Sequence, residues 1–276
     1  MPHPFVLITG CSSGIGLAAA NALGAHGFTV IASARKAEDV AQLQQQGLPA
    51  VQLDLADTAS IERGAAEALV LAGGRLFGLF NNGAYGQPGA LEDLPTEALK
   101  AQFNTNLFGW HHLIRQVLPA MLAVGEGRIV QNSSVLGLVA MKYRGAYNAS
   151  KFALEGYTDT LRLELEGSGV HISLIEPGPI DTRFRANARD AFVRHIDPAQ
   201  SRHQGAYRQT LTRLEKEGST SGFTLPSEAC IPPLLHALQS KRPRHRYPVT
   251  LPTRLFSILR RLLPSRWLDR ILGKSA

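Results

Sequence analysis

Short apolar runs alternate with longer amphipathic stretches from Phe5 to Glu176. FVLIT at 5–9, FTVIASA at 28–34, AVQLDL at 50–55, 76–80, 128–131 and VHISLIE at 170–176 read as six strands. Near-continuous apolar runs of this length fit strands buried on both faces of a parallel sheet. Helical patterns fill the intervals: the stretch after Gly16 closed by Gly27, then 36–47, 58–72, 95–124 and 145–166 before Gly167. Strands alternating with such helices imply right-handed βαβ units. Residues 226–239 predict a further helix, and 246–250 a last strand, with Pro248 marking it as an edge. The expected fold is α/β, one domain over residues 1–250, with a doubly wound parallel sheet of about seven strands and helices on both faces. Residues 183–225, polar and arginine-rich, predict a mobile, partly helical lid over a substrate.

Ligands on such sheets sit at the carboxyl ends of the strands. Gly10-Cys-Ser-Ser-Gly14-Ile-Gly16 lies between the first strand and its helix. A glycine-rich turn there lets backbone N–H groups approach a phosphate, and the helix dipole favours the negative charge. Dinucleotide folds place an acid about 20 residues later, at the end of the second strand. Here that place holds Ala34, followed by Arg35 and Lys36. Two cations without an acid favour NADP(H) over NAD(H). Asp54, ending the third strand, is placed to accept from an adenine amino group or to cap the helix from Thr58.

The candidate chemistry lies in SVLGLVAMKYRGAYNASK, residues 134–151. Tyr147 and Lys151 at i and i+4 share a helix face. An ammonium close to a phenol lowers the phenol pKa from about 10, which would make Tyr147 a proton donor and acceptor near neutral pH. Ser134 could hydrogen-bond the same substrate oxygen. Between 95 and 124 the pattern contains Asn104, Asn106, His111 and His112. Mid-helix asparagine costs propensity and signals a polar contact or a bend. Adjacent histidines point in different directions and make a poor metal pair, so no metal is expected.

In order and spacing these motifs resemble the short-chain dehydrogenase/reductase family across residues 4 to about 250, nearest in pattern to hydroxysteroid and retinol dehydrogenases. Thr9-Gly10-xxx-Gly14-Ile15-Gly16 is similar to its cofactor turn, and Asn81-Asn82-Gly83-Ala84 to its Asn-Asn-Ala-Gly motif with the last two residues exchanged. The resemblance implies a single-domain Rossmann fold and a catalytic tetrad of Asn106, Ser134, Tyr147 and Lys151. It implies cofactor contacts at Gly10, Ser12, Ser13, Gly14, Ile15, Gly16, Arg35, Asp54, Leu55, Asn82, Gly83, Tyr147, Lys151, Pro177, Gly178, Ile180 and Thr182. The implied reaction is hydride transfer between nicotinamide and a carbonyl or secondary alcohol, with Asn106 placing a water that links Lys151 to solvent. Apolar Leu138, Val139 and Met141 beside the site point to a lipophilic small molecule. A homodimer or homotetramer is implied as well. Alternatives are a non-catalytic dinucleotide sensor or scaffold, which would be expected to lose Tyr147 or Lys151, and an epimerase, dehydratase or dehalogenase on the same fold.

Composition narrows the setting. The chain has 276 residues, 44% of them apolar, enough for a sizeable core. Two cysteines, Cys11 and Cys230, fit a reducing compartment rather than a disulfide framework. The start lacks a signal-peptide pattern, and no run of about 18 uncharged apolar residues occurs, so a cytoplasmic location is expected. The net charge of +7 is uneven: residues 241–276 hold ten Lys/Arg and one acid. There Leu255, Ile258, Leu259, Leu262 and Leu263 recur at near-helical spacing among arginines. The tail, 251–276, reads either as a basic amphipathic helix on the inner membrane surface or as a helix packed on the domain or a partner subunit. No recognition motif accompanies the charge, so nucleic acid is not expected.

Overall fold

The computed structural model describes residues 3–216, 218 and 221–273. Seven strands form one sheet: β1 Phe5–Ile8, β2 Thr29–Ala34, β3 Ala50–Gln52, β4 Leu76–Asn81, β5 Gly127–Asn132, β6 Val170–Glu176 and β7 Arg246–Pro248. Their order is β3-β2-β1-β4-β5-β6-β7, and every neighbouring pair is parallel. The chain starts mid-sheet, runs outward to β3, then crosses back to β4 beside β1. That reversal opens a crevice at the carboxyl ends of β1 and β4. Ile8 pairs with both Ala32 and Phe80, so the loops after β1, β2 and β4 leave the sheet at one level.

Alternation along the strands sorts the core into two layers. Val6, Ile8, Val30, Phe80, Val130 and Ile175 face α1 (Gly14–Leu23) and α9 (Ile231–Gln239). Leu7, Ile31, Leu79, Ile129 and Ile172 face α3 (Thr58–Leu71), α5 (Gly109–Val124) and α6 (Gly145–Glu164). Each such side chain contributes about 1.5–3 kcal/mol on burial. β7 is one of the two edge strands, as Pro248 indicates, and β3 is the other. The third strand is shorter than its apolar run. Leu53 N–H still reaches Ala34 O at 2.9 Å, but Asp54 then turns to accept from Ala56 N–H.

The interval 95–124 is three pieces: α4 (Thr96–Phe103), a π turn (Asn104–Phe108) and α5. Asn106 is fully buried there and takes the Tyr85 N–H at 3.3 Å while donating to Tyr85 O at 2.9 Å. One turn back, Gln102 accepts from Gln87 N–H at 2.7 Å and donates to Tyr85 O at 2.8 Å. A polar contact and a break in the α-helical hydrogen-bond pattern therefore coincide at the mid-helix asparagines.

The arginine-rich interval holds α7 (Phe184–His195) and α8 (Gln204–Glu215). It seats Phe192, Ile196 and Tyr207 on Ala90, and Tyr207 OH accepts from Ala90 N–H at 2.9 Å. The tail forms α10 (Leu251–Leu262) and α11 (Ser265–Leu272), broken at Pro264. The expected lid and tail run over residues 217, 219, 220 and 274–276, which lie outside the described residues.

Candidate active site

The glycine turn is shaped for a close approach. Gly10 and Gly14 take φ of +72° and +58°, a region that disfavours any side chain. A Cβ on Gly10 would lie 2.7 Å from Gly83 Cα, and one on Gly16 would lie 2.2 Å from Gly10 O. α1 is thereby pressed onto the turn. Its first N–H groups have no partner within the helix, so they face the crevice as an anion site. Ser12 is exposed, while Ser13, Gly14 and Ile15 are half-buried. A pyrophosphate fits this cradle. Cys11 points inward, donating to Ile8 O, and burial pushes its thiol up to about 12.

Asn82 fastens the cradle to the sheet. Its side chain donates to Thr9 O at 3.0 Å and accepts from the Asn132 amide at 2.8 Å. Thr9 Oγ1 accepts from the N–H groups of both Asn82 and Gly83. The exchanged order Gly83-Ala84 has a local reason: a Cβ at Gly83 would lie 2.9 Å from Leu55 Cδ1. Leu55 therefore fills the space above it.

The other expected cofactor residues ring the crevice. Arg35 follows β2 directly and is exposed. Asp54 is half-buried and does not cap α3; Asp57 does, accepting from Ala59 N–H at 2.9 Å. The loop after β6 crosses to the glycine turn. Pro177 O accepts from Val135 N–H at 2.7 Å, and Thr182 Cγ2 would lie 3.0 Å from a Cβ on Gly14. Ile180 bridges Leu225 in the parallel sense.

Tyr147 and Lys151 share one face of α6, and Tyr147 stands close enough to Ser134, two residues past β5, for its acidity to feel the serine hydroxyl. Ser134 Oγ also accepts from Leu136 N–H at 3.1 Å. Lys151 is fully sheltered: its Nζ donates to Asn132 O at 2.7 Å, 4.5 Å from the Trp110 ring centre and 5.7 Å from that of Tyr147. Asn106 Nδ2 lies 3.4 Å from Ser150 Oγ, which donates to Tyr147 O. The four tetrad candidates are thus brought together. The acidity of Tyr147 runs opposite to the expectation from the lysine. Burial outweighs the Ser134 hydrogen bond and pushes the phenol up to about 12. Burial likewise draws Lys151 down to about 7, against the charge of Glu155. Both groups are held toward their neutral forms.

Other residues shape the site without any motif. Phe184 meets the Tyr147 ring edge-on at 5.3 Å, and Trp110, four residues past Asn106, lies under Lys151. One turn beyond Lys151, Glu155 takes the Ser133 hydroxyl at 2.5 Å and Arg246 at 3.0 Å. Arg246 also binds Asp159 at 2.8 Å and approaches Glu176 at 3.2 Å. Burial raises the Glu155 carboxyl and pushes Glu176 up to about 8. The signal for this cluster was available: Glu155 stands four residues from Lys151, and Glu176 ends a buried strand. His111 and His112 diverge, to Tyr157 and Glu62.

Known proteins resemble this chain in sequence and fold. The family model for short chain dehydrogenase matches residues 4–192. An uncharacterised oxidoreductase of Escherichia coli, YbbO, is 45% identical over 267 residues, covering 97% of this chain and 93% of that protein. An NADPH-dependent 3-dehydrocapnine reductase of Ornithobacterium rhinotracheale is 30% identical over 278 residues, covering 98% and 96%. A short chain dehydrogenase/reductase from Burkholderia phymatum, solved in complex with NAD, superposes with a TM-score of 0.79 at 28% identity, covering 98% and 95%. With its parallel seven-stranded sheet and its glycine cradle, the chain belongs to the short-chain dehydrogenase family of oxidoreductases.

Proposed function

We propose that the protein interconverts a carbonyl and a secondary alcohol on a lipophilic small molecule, using NADP(H) in preference to NAD(H). The observation that carries this is Tyr147 and Lys151 on one helix face, the ammonium 5.7 Å from the phenol ring centre, with Ser134 beside Tyr147 and the glycine cradle next to them. Bound NADP(H) would supply or accept the hydride. In reduction Tyr147 gives its proton to the substrate oxygen; in oxidation it takes that proton back. Burial keeps the phenol protonated at neutral pH, the form that donates. Ser134 holds the same oxygen by hydrogen bonding. Lys151, drawn down to about 7, exchanges a proton near neutral pH and adds positive charge under Tyr147 when protonated. Asn106, whose amide is taken up by Tyr85, acts by fixing the loop over the site.

Arg35 in place of a strand-end acid supports NADP(H), as does the NADPH dependence of the Ornithobacterium relative. Buried Leu138 and Val139, half-buried Met141 and the ring of Phe184 support a lipophilic substrate. A homodimer or homotetramer belongs to the same reading. The test is NADPH consumption by the purified full chain with ketones of increasing alkyl length. Turnover should rise with chain length. Tight NADPH binding without turnover of any carbonyl would return the reading to a dinucleotide sensor.

A further inference from the structure

The tail carries an apolar stripe that does not fasten it to the domain. On α10, Leu251, Leu255, Ile258 and Leu262 recur at i, i+4, i+7 and i+11, so they line one narrow face. They are 65%, 51%, 57% and 72% exposed. Trp267 on α11 adds an indole that is 60% exposed. An adjoining face of α10 does the fastening: Thr253 is buried, and Phe256 and Leu259 are half-buried. A contiguous water-facing apolar edge of this kind marks a contact surface.

Charge selects the occupant. Residues 251–273 carry Arg254, Arg260, Arg261, Arg266 and Arg270 against one acid, Asp269. Arg254 and Arg261, both exposed, flank the stripe on one side at i and i+7. A second copy of the same face would set arginine against arginine. An anionic bilayer surface supplies apolar depth for the leucines and negative charge for the arginines. Among the described residues no helix is long and apolar enough to cross a membrane, so the contact is superficial. The stripe also begins beside the chemistry. Thr250, which caps α10, abuts the loop after β6 so closely that a Cβ on Gly178 would lie 2.1 Å from its Oγ1.

We propose that α10 and α11 lay the Leu251–Leu255–Ile258–Leu262 stripe and Trp267 on an anionic lipid surface, holding the edge of the candidate site against the membrane. Docking stands on the tail alone; that it brings the site to a lipophilic substrate rests on the function proposed above. The test sediments the full chain with vesicles of phosphatidylcholine alone or of phosphatidylcholine with phosphatidylglycerol. Binding should require phosphatidylglycerol and weaken in high salt. The double variants Leu255→Glu/Ile258→Glu and Arg254→Gln/Arg261→Gln should each bind about tenfold more weakly. Turnover of a water-soluble ketone should match the parent, since these side chains are exposed and lie outside the site. Absence of binding to the anionic vesicles, or unchanged binding by either variant, overturns the proposal. So does light scattering in which Leu255→Glu/Ile258→Glu splits an oligomer, because the stripe is then an interface between copies. Missing turnover in every form would sink the function reading and leave the vesicle result standing.

Discussion

The Lys151 ammonium donates to the Asn132 carbonyl at 2.7 Å with the Trp110 ring 4.5 Å away. It is therefore tied to the tip of β5 rather than aimed at the Tyr147 oxygen. Burial favours the neutral amine and draws its pKa from 10.5 to about 7. Between those values the unfolded chain binds a proton that the folded chain does not, so this group makes stability rise with pH from about 7 to 10.5. Lys151→Met should remove that rise. The gap in Tm between variant and parent should favour the variant most near pH 7 and narrow toward pH 10. A gap independent of pH would show that Lys151 is not strained by burial.

Tyr147→Phe should lower kcat by roughly 10²–10⁴-fold, while the Kd for NADPH stays within about threefold. In the parent, a phenol pushed up to about 12 keeps its proton through the physiological range. Reduction should thus stay level as pH rises from 7 to 9, and alcohol oxidation, which needs the phenolate, should climb. Rates in both directions over that range are the check.

Two glycines of the crevice should respond differently to alanine. A Cβ at Gly16 would lie 2.2 Å from a backbone oxygen that cannot withdraw without moving the turn. Gly16→Ala should therefore lose most NADPH affinity and several degrees of Tm. At Gly83 the clash, 2.9 Å, is with the tip of Leu55, which can rotate. Gly83→Ala should cost less than about 1.5 kcal/mol and leave NADPH affinity near that of the parent. Calorimetric titration of both variants separates the two cases.

Arg35 is exposed at the end of β2, where a 2′-phosphate would be met. Arg35→Ala should raise the Kd for NADPH about tenfold, in line with loss of one charge-assisted contact, and leave NADH within about twofold. Equal losses for both cofactors would remove Arg35 from the discrimination.

Glu176 tests the buried cluster. Burial and the charge of Glu155 push its carboxyl from 4.5 up to about 8, against Arg246. The folded chain then holds a proton that the unfolded chain releases. The stability this contributes is full below pH 4.5 and is lost as pH rises through 8. Glu176→Gln should flatten that loss, so that the parent falls relative to the variant by about 5 °C in Tm between pH 5 and 9.

What was legible in the sequence follows from how each part is stabilised. Central strands buried on both faces, such as FVLIT and VHISLIE, announce themselves because nearly every position must be apolar. The glycine turn was legible because backbone approach and positive φ leave little choice of residue at Gly10 and Gly14. The arginine-rich interval 183–225 was not. Its anchors Phe192, Ile196 and Tyr207 are few, spread over two helices and separated by arginines, so no period emerges. The Glu155–Glu176–Arg246 cluster joins α6, β6 and β7; Glu155 one turn past Lys151 and Glu176 ending a buried strand mark two of its members, but nothing local pairs them with Arg246. The acidity of Tyr147 is set by burial, and i, i+4 spacing reports proximity but says nothing of dehydration.

The π turn at Asn104–Phe108 amounts to a phase slip in a helix. One residue more than an α-turn advances everything beyond it by about 100°. Upstream, Gln102 must look toward the loop at Tyr85 and Gln87; downstream, Trp110 must look under Lys151. An unbroken α-helix of the same length could satisfy one of these directions but not both. Deleting a single residue between 104 and 108 would regularise the helix and dephase its two halves, and the loop over the site would then be cut loose from the lysine beneath it.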